Sequence, residues 1–213
     1  MGVDIAVIDY GMGNLHSVRK ALEHVAPGAT VAVTDDPALI AAASRVVFPG
    51  QGAAPDCMAE IEAHHLRQVV LDAAANKPFL GICMGLQVLF AHSEEGDTPC
   101  LGLLGGEVKR FPEAAMRDAE GNKLKVPHMG WNNVRQTQAH PLWQGIDDGA
   151  RFYFVHSYYC DPADKSVAAG VSEYPFEFTC AVARDNLFAV QFHPEKSAAA
   201  GLRLLANFVT WDV

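Results

Sequence analysis

A thiol set between glycines at the end of an apolar run is suited to nucleophilic attack, and this 213-residue chain carries one such cysteine. Gly81-Ile82-Cys83-Met84-Gly85 follows Pro78-Phe79-Leu80 and precedes a helical pattern at Leu86, Val88 and Leu89. Strand, sharp turn and helix in that order make a nucleophile elbow, in which small flanking residues let the backbone lift the nucleophile above a sheet. A helix that starts just after Cys83 would also point its positive end at the sulfur and favour the thiolate, the reactive species.

A base is available at Gln191-Phe192-His193-Pro194-Glu195, where the apolar run from Asn186 to Val190 ends. Residues two apart in an extended chain share a side, and Pro194 biases His193 toward extended geometry, so Glu195 can orient the imidazole. Taken alone, the pair reads more readily as a surface ion pair. Joined to Cys83, it gives a nucleophile, a base and an orienting carboxylate, the parts of a triad for acyl transfer through a thioester. A third segment, Pro49-Gly50-Gln51-Gly52-Ala53, follows the apolar run Val46-Val47-Phe48 and offers flexible backbone amides. By its spacing it is either an ordinary strand-to-helix turn or half of an oxyanion hole, with Gln51 and Met84 as the two N–H donors.

These groups meet only if the chain carries them to one edge of a sheet. The first half alternates strand-like runs at 5–10, 30–34, 45–50 and 78–83 with helical periodicity at Leu15, Val18, Leu22 and Val25 and at Leu66, Val69, Val70 and Ala73. That predicts an α/β fold with a mostly parallel central sheet flanked by helices, and ligands bind outside the C-terminal ends of such strands. After about residue 99 the texture changes to glycine- and proline-punctuated strand candidates, which predicts additional antiparallel strands in the second half. Leu202, Leu205 and Val209, with Leu204 and Phe208 beside them, predict a closing amphipathic helix. The polar stretch from Pro112 to Lys125 is expected to be an exposed excursion without assigned function. No linker or repeat divides the chain, so residues 1–213 are expected to form a single domain.

The composition sets limits on function. With half its residues hydrophobic the chain can bury a core, and a formal net charge of −9 opposes binding to nucleic acid or an anionic membrane. No stretch approaches the ~20 apolar residues of a membrane helix, and no secretory leader is visible, so a cytoplasmic protein is expected. Five scattered cysteines fit a reducing compartment, with Cys57, Cys100, Cys160 and Cys180 as buried structural residues. No histidine has ligand spacing, His64-His65 being expected on an exposed helix surface, so neither metal nor cofactor is expected.

The pattern Gly81-x-Cys83-x-Gly85-x-Gln87 with His193-Pro194-Glu195 downstream resembles the class I, triad-type glutamine amidotransferases. Four further segments, at 9–14, 127–132, 156–159 and 193–197, are similar to those of the glutaminase subunits that serve histidine biosynthesis, and the resemblance covers essentially the whole chain. It implies a flavodoxin-like class I glutamine amidotransferase fold and hydrolysis of L-glutamine to glutamate and ammonia. It also implies a heterodimer with a cyclase subunit built as a (β/α)8 barrel. It assigns Gln87, Gly52, Ser157 and Tyr158 to glutamine binding and places Asn14, Trp131 and Lys196 at the partner interface; without it, Trp131 reads as a core aromatic. Gln51 stands where many members have a small aliphatic residue, so only its backbone role carries over. Subunits serving anthranilate or pyridoxal phosphate synthesis are close competitors. A free-standing cysteine hydrolase and a non-catalytic binding subunit are more distant ones.

Overall fold

The computed structural model describes residues 2–117 and 120–213. Its first half is built of β1 (Ile5–Ile8), α1 (Leu15–Val25), β2 (Val31–Thr34), α2 (Pro37–Ala42), β3 (Arg45–Gly50), α3 (Ala54–Ala63), α4 (Arg67–Asn76) and β4 (Phe79–Cys83). Residues Met84–Gln87 form α5, and the strands β5 (Phe90–Ser93), β6 (Thr98–Pro99), β7 (Leu104–Arg110), β8 (His128–Asn133) and β9 (Arg135–Gln136) follow. The second half closes with β10 (Arg151–His156), β11 (Tyr158–Pro162), β12 (Ala168–Glu173), β13 (Glu177–Arg184), β14 (Leu187–Val190) and α6 (Ala198–Thr210).

Strands β1, β4 and β14 are buried at every position, as their uninterrupted apolar sequences require of strands covered on both faces. They lie in one sheet of order β2-β1-β3-β4-β14-β13-β11-β7-β5-β6, with β12 on β13 and β9 on β12. The five strands from β2 to β14 are parallel, and their order is the flavodoxin-like one. From β14 onward the pairing turns antiparallel through β13, β11 and β7. The two halves of the chain therefore share one sheet, parallel from β2 to β14 and antiparallel from β14 to β7, with β5 pairing parallel to β7 beyond. Only β8 and β10 stand apart, as an antiparallel pair of their own.

Helix α1 packs on α6, and α2 on α4. In α6 the buried stripe is Gly201, Leu204, Leu205 and Phe208, so the helix is rotated from the expected Leu202–Leu205–Val209 stripe toward its Leu204–Phe208 side. The described residues between Pro112 and Lys125 are largely exposed, yet Met116 is buried and Leu124 packs against the core. No helix among the described residues is long and apolar enough to cross a membrane.

Candidate active site

Cys83 ends β4 with φ +56° and ψ −111°, a conformation an L-residue adopts only where its surroundings impose it. Those surroundings are tight. A Cβ on Gly85 would run into the Phe48 carbonyl oxygen of β3, and one on Gly81 would come within 2.8 Å of the Ala189 side chain of β14. Glycine on both sides lets three strands close around the turn, which is the physical content of the elbow motif. The helix beyond it is shorter than expected. Helix α5 is a single turn, because Phe90 already enters β5 and pairs beside Leu104 of β7, so Val88 and Leu89 are not part of a long helix. Its dipole is correspondingly small, and activation of the sulfur falls mainly to neighbouring side chains.

Neighbouring parallel strands carry the remaining groups to the same edge. Gly50 pairs in register with Cys83 and Val190 with Ile82, so the loop after β3 and the turn after β14 both emerge beside the sulfur. His193 is extended, and Pro194–Lys196 then form a 3-10 turn. That turn, not a continuous extended segment, brings His193 Nδ1 to 2.9 Å from Glu195 Oε1. The turn itself is held at both ends by one hydroxyl. Ser197 Oγ donates to the His193 carbonyl at 2.6 Å and accepts the Tyr153 N–H at 3.0 Å, tying the catalytic turn to β10.

Both members of the His193–Glu195 pair are buried, at 7% and 1% side-chain exposure. Burial alone would push the imidazole pKa down, but hydrogen bonds to the Cys83 sulfur and to Glu195 outweigh it and raise His193 to about 10. His193 is thus held between a sulfur and a carboxylate, both of which favour its protonated form. At Cys57, Cys100, Cys160 and Cys180 burial is the largest effect and raises the thiol. It pushes the Cys57 thiol up to about 12 and Cys100 to about 11, with Cys160 and Cys180 also raised, so none of the four is a nucleophile near neutral pH.

A cavity of about 400 Å³ opens over the sulfur, and the sequence-derived residues lie around it unevenly. Gln51, Gly52, Met84, Gln87, Ser157, Tyr158 and Lys196 line it together with Cys83 and His193. Glu195 sits behind His193, outside the lining. Asn14 lies apart, half-buried at the N-terminus of α1. Trp131 is also outside, and it is 44% exposed on β8, edge-on to Tyr153 of β10, and is no core aromatic. Gly52 has φ +98°, and the Gln51 carbonyl accepts the Cys57 thiol at 3.5 Å, so Cys57 touches the candidate oxyanion loop. Three residues at the site were not singled out from the sequence as site residues. Glu95, in a turn between β5 and β6, lines the cavity and accepts the Ala54 N–H at 2.8 Å. His156 lines it from β10. Gln191, fully buried, reaches the Cys83 sulfur at 3.8 Å. Gln191 was within reach of sequence reasoning, since the two-residue spacing that aligns His193 with Glu195 also aligns Gln191 with His193. No cluster of three or more metal-ligating side chains occurs among the described residues.

A sequence model of the family described as "Glutamine amidotransferase class-I" matches residues 6–211. The chain belongs to that family. Among curated relatives, a protein of Thiobacillus denitrificans named imidazole glycerol phosphate synthase subunit HisH is 70% identical over 212 residues, covering 100% of this chain and 93% of the relative. A protein of Aromatoleum aromaticum with the same name is 66% identical over 208 residues and covers 98% of each chain. One from Chromobacterium violaceum, also so named, is 56% identical over 209 residues and covers 98% of each. Among solved structures, PurLQS from Thermotoga maritima superimposes with a TM-score of 0.73 at 17% identity, covering 99% of both chains. A structure titled as a glutamine amidotransferase gives 0.69 at 15%, covering 97% of this chain and 99% of that one. At such identities the superpositions speak for the fold alone, and they agree with the class I amidotransferase architecture.

Proposed function

We propose that this chain is the glutaminase subunit of an imidazole glycerol phosphate synthase, which hydrolyses L-glutamine and passes the ammonia to a cyclase subunit with a (β/α)8 barrel. One observation carries the reading. In a class I amidotransferase, a strained cysteine and a buried histidine, backed by Glu195, face one cavity of a size suited to a single amino acid. The near-full-length relatives named as subunit HisH narrow the pathway to histidine biosynthesis and favour it over anthranilate or pyridoxal phosphate synthesis. The whole chain, 1–213, is read as one such domain, working in the cytoplasm.

The Cys83 thiolate attacks the side-chain carbonyl carbon of glutamine, and the carbonyl electrons move onto oxygen. The amides of Met84 and Gln51 stabilise that oxyanion, each donor being worth about 3–4 kcal/mol. His193, protonated at the start, gives its proton to the departing nitrogen as the C–N bond breaks, which leaves ammonia and a glutamyl thioester. The neutral imidazole then takes a proton from water, whose oxygen attacks the thioester; glutamate leaves and the thiolate and imidazolium are restored. Glu195 keeps the ring oriented through both half-reactions. Gly52, Gln87, Ser157 and Tyr158 hold the substrate, and Glu95 supplies the negative charge that an α-ammonium group needs. Asn14, Trp131 and Lys196 face the partner.

The test is steady-state glutamate release by this chain alone, with a cyclase barrel, and with the barrel plus its ribonucleotide. The proposal requires release in the assembled complex and formation of imidazole glycerol phosphate from glutamine. Release that never depends on the partner would mark a free-standing hydrolase instead.

A further inference from the structure

The polarity of the hydrogen bonds around Gln191 can be settled from a single fixed point. Gln87 Nε2 lies 3.4 Å from the Tyr158 carbonyl oxygen and 2.9 Å from Gln191 Oε1. A backbone carbonyl only accepts, so the side of the Gln87 amide that faces it must be the NH2. Its two protons then go to Tyr158 and to Gln191, which obliges Gln191 to present oxygen to Gln87. The NH2 of Gln191 is left facing the Cys83 sulfur at 3.8 Å, within reach of an N–H···S bond. At the other end, Gln87 Oε1 is buried without a partner, although Gln87 lines the cavity. The chain therefore has a donor at the nucleophile, while the remaining acceptor of Gln87 is buried away from the cavity surface. Little can move it. Gln191 is fully buried, and its N–H donates to the Cys180 carbonyl of β13 at 2.8 Å.

We propose that Gln191 is a further working residue of the site: its amide donates to the Cys83 sulfur and, through its oxygen, holds the Gln87 amide in place beside the cavity. This rests on the glutaminase reading for the identity of the substrate, but the contact with the sulfur does not depend on it. The sulfur then has two donors, the His193 imidazolium on one side and an uncharged amide on the other. The amide stabilises the thiolate without offering a proton that could be lost to it, so His193 alone remains the acid.

Two variants separate the proposal from a packing role. Gln191→Met keeps length and volume and removes both hydrogen bonds, while Gln191→Glu keeps the acceptor for Gln87 and puts a carboxylate oxygen at the sulfur. The primary measurement is the pH profile of Cys83 alkylation by iodoacetamide in the purified chain, with thermal unfolding as the check on folding. A hydrogen bond to a charged group is worth about 1.5–3 kcal/mol, or roughly a tenfold to hundredfold change in equilibrium. The midpoint of the profile should therefore move up by about one pH unit or more in the Met variant and further in the Glu variant. In the complex with the cyclase, KM for glutamine should rise in the Met variant as the Gln87 amide is released. An unchanged alkylation profile in a folded Gln191→Met protein overturns the proposal, whatever happens to KM. Should the Glu variant fail to fold, the uncharged Met variant decides alone. Absence of glutamate release from the unmutated complex would instead count against the glutaminase reading and leave the alkylation result standing.

Discussion

At Cys83 the requirements of fold and chemistry coincide, and they can be separated by one atom. Serine in place of Cys83 preserves the volume and the backbone but is barely ionised near neutral pH, so glutamate release should disappear while the unfolding midpoint stays within a few degrees. Near-normal release by Cys83→Ser would remove Cys83 as the nucleophile. The residues named from the sequence had type and spacing in their favour: glycines about a cysteine, and a histidine two positions from a carboxylate. Glu95 and His156 had neither. Glu95 follows Glu94 in a polar turn, where a carboxylate is ordinarily solvated, and only the fold of β5 and β6 over α3 turns it into the cavity. Cys57 was legible as buried, but its contact with the Gln51 carbonyl depends on α3 lying beneath that loop.

Strands with no polar face were the elements most easily read, since only a sheet covered on both sides accommodates them, and β1, β3, β4 and β14 fall where the apolar runs lie. The short α5 was not. Leu86, Val88 and Leu89 repeat at helical spacing, but burial from every side produces such a run as readily as a helix does, and tertiary pairing of β5 decides the matter. At the elbow itself two effects compete in Gly85→Ala. Alanine favours the helix by about 1 kcal/mol, yet its methyl would occupy the position of the Phe48 carbonyl oxygen. Overlap with backbone cannot be relieved by a rotamer change, so the variant should lose about 1–3 kcal/mol in a denaturant titration, as overpacked cores do. A gain in stability would mean that β3 and α5 can separate, and that the elbow is not held as tightly as described.

The β8–β10 pair bears on assembly. It turns Met129, 62% exposed, and Trp131 outward, and the same ribbon is tied through Tyr153 and Ser197 to the His193 turn. If this face meets the cyclase, Trp131→Ala should weaken the complex by about 2 kcal/mol, roughly thirtyfold in Kd, as truncation of a buried interfacial tryptophan does. Equal affinity by calorimetry would place the interface elsewhere. The variant's unfolding midpoint should change little, because the residue is 44% exposed and its ring meets Tyr153 edge-on.

For the whole molecule, three histidines whose pKa burial lowers bear on the acid limit: the paired His128 and His156, and His140, lowered to about 4. His128 Nδ1 lies 2.8 Å from His156 Nε2, and His156 Nδ1 lies 2.8 Å from the Tyr158 carbonyl, which can only accept. His156 therefore carries its proton on Nδ1 and accepts at Nε2 from His128, so both rings are neutral in the folded chain. Burial is the main cause of their low pKa values, about 4 for His128 and about 3 for His156. In the unfolded chain each titrates near its ordinary value of about 6.5. Between these values the unfolded chain holds protons that the folded one does not, so stability is complete above about pH 6.5 and falls as the pH drops toward 4. Each histidine adds at most about 1.4 kcal/mol per pH unit to that slope. His193, raised to about 10, does not oppose the trend, because its contribution is complete below 6.5 and is lost only as the pH rises. Urea titrations between pH 7.5 and 4.5 should show this decline, and His128→Gln, which removes one titrating ring, should make it shallower. The loss should reach activity as well, since the Tyr158 carbonyl that receives the His156 proton also receives Gln87 at the glutamine pocket. A flat stability profile from pH 7.5 to 5, or an unchanged slope in His128→Gln, would show that this pair does not limit the fold in acid.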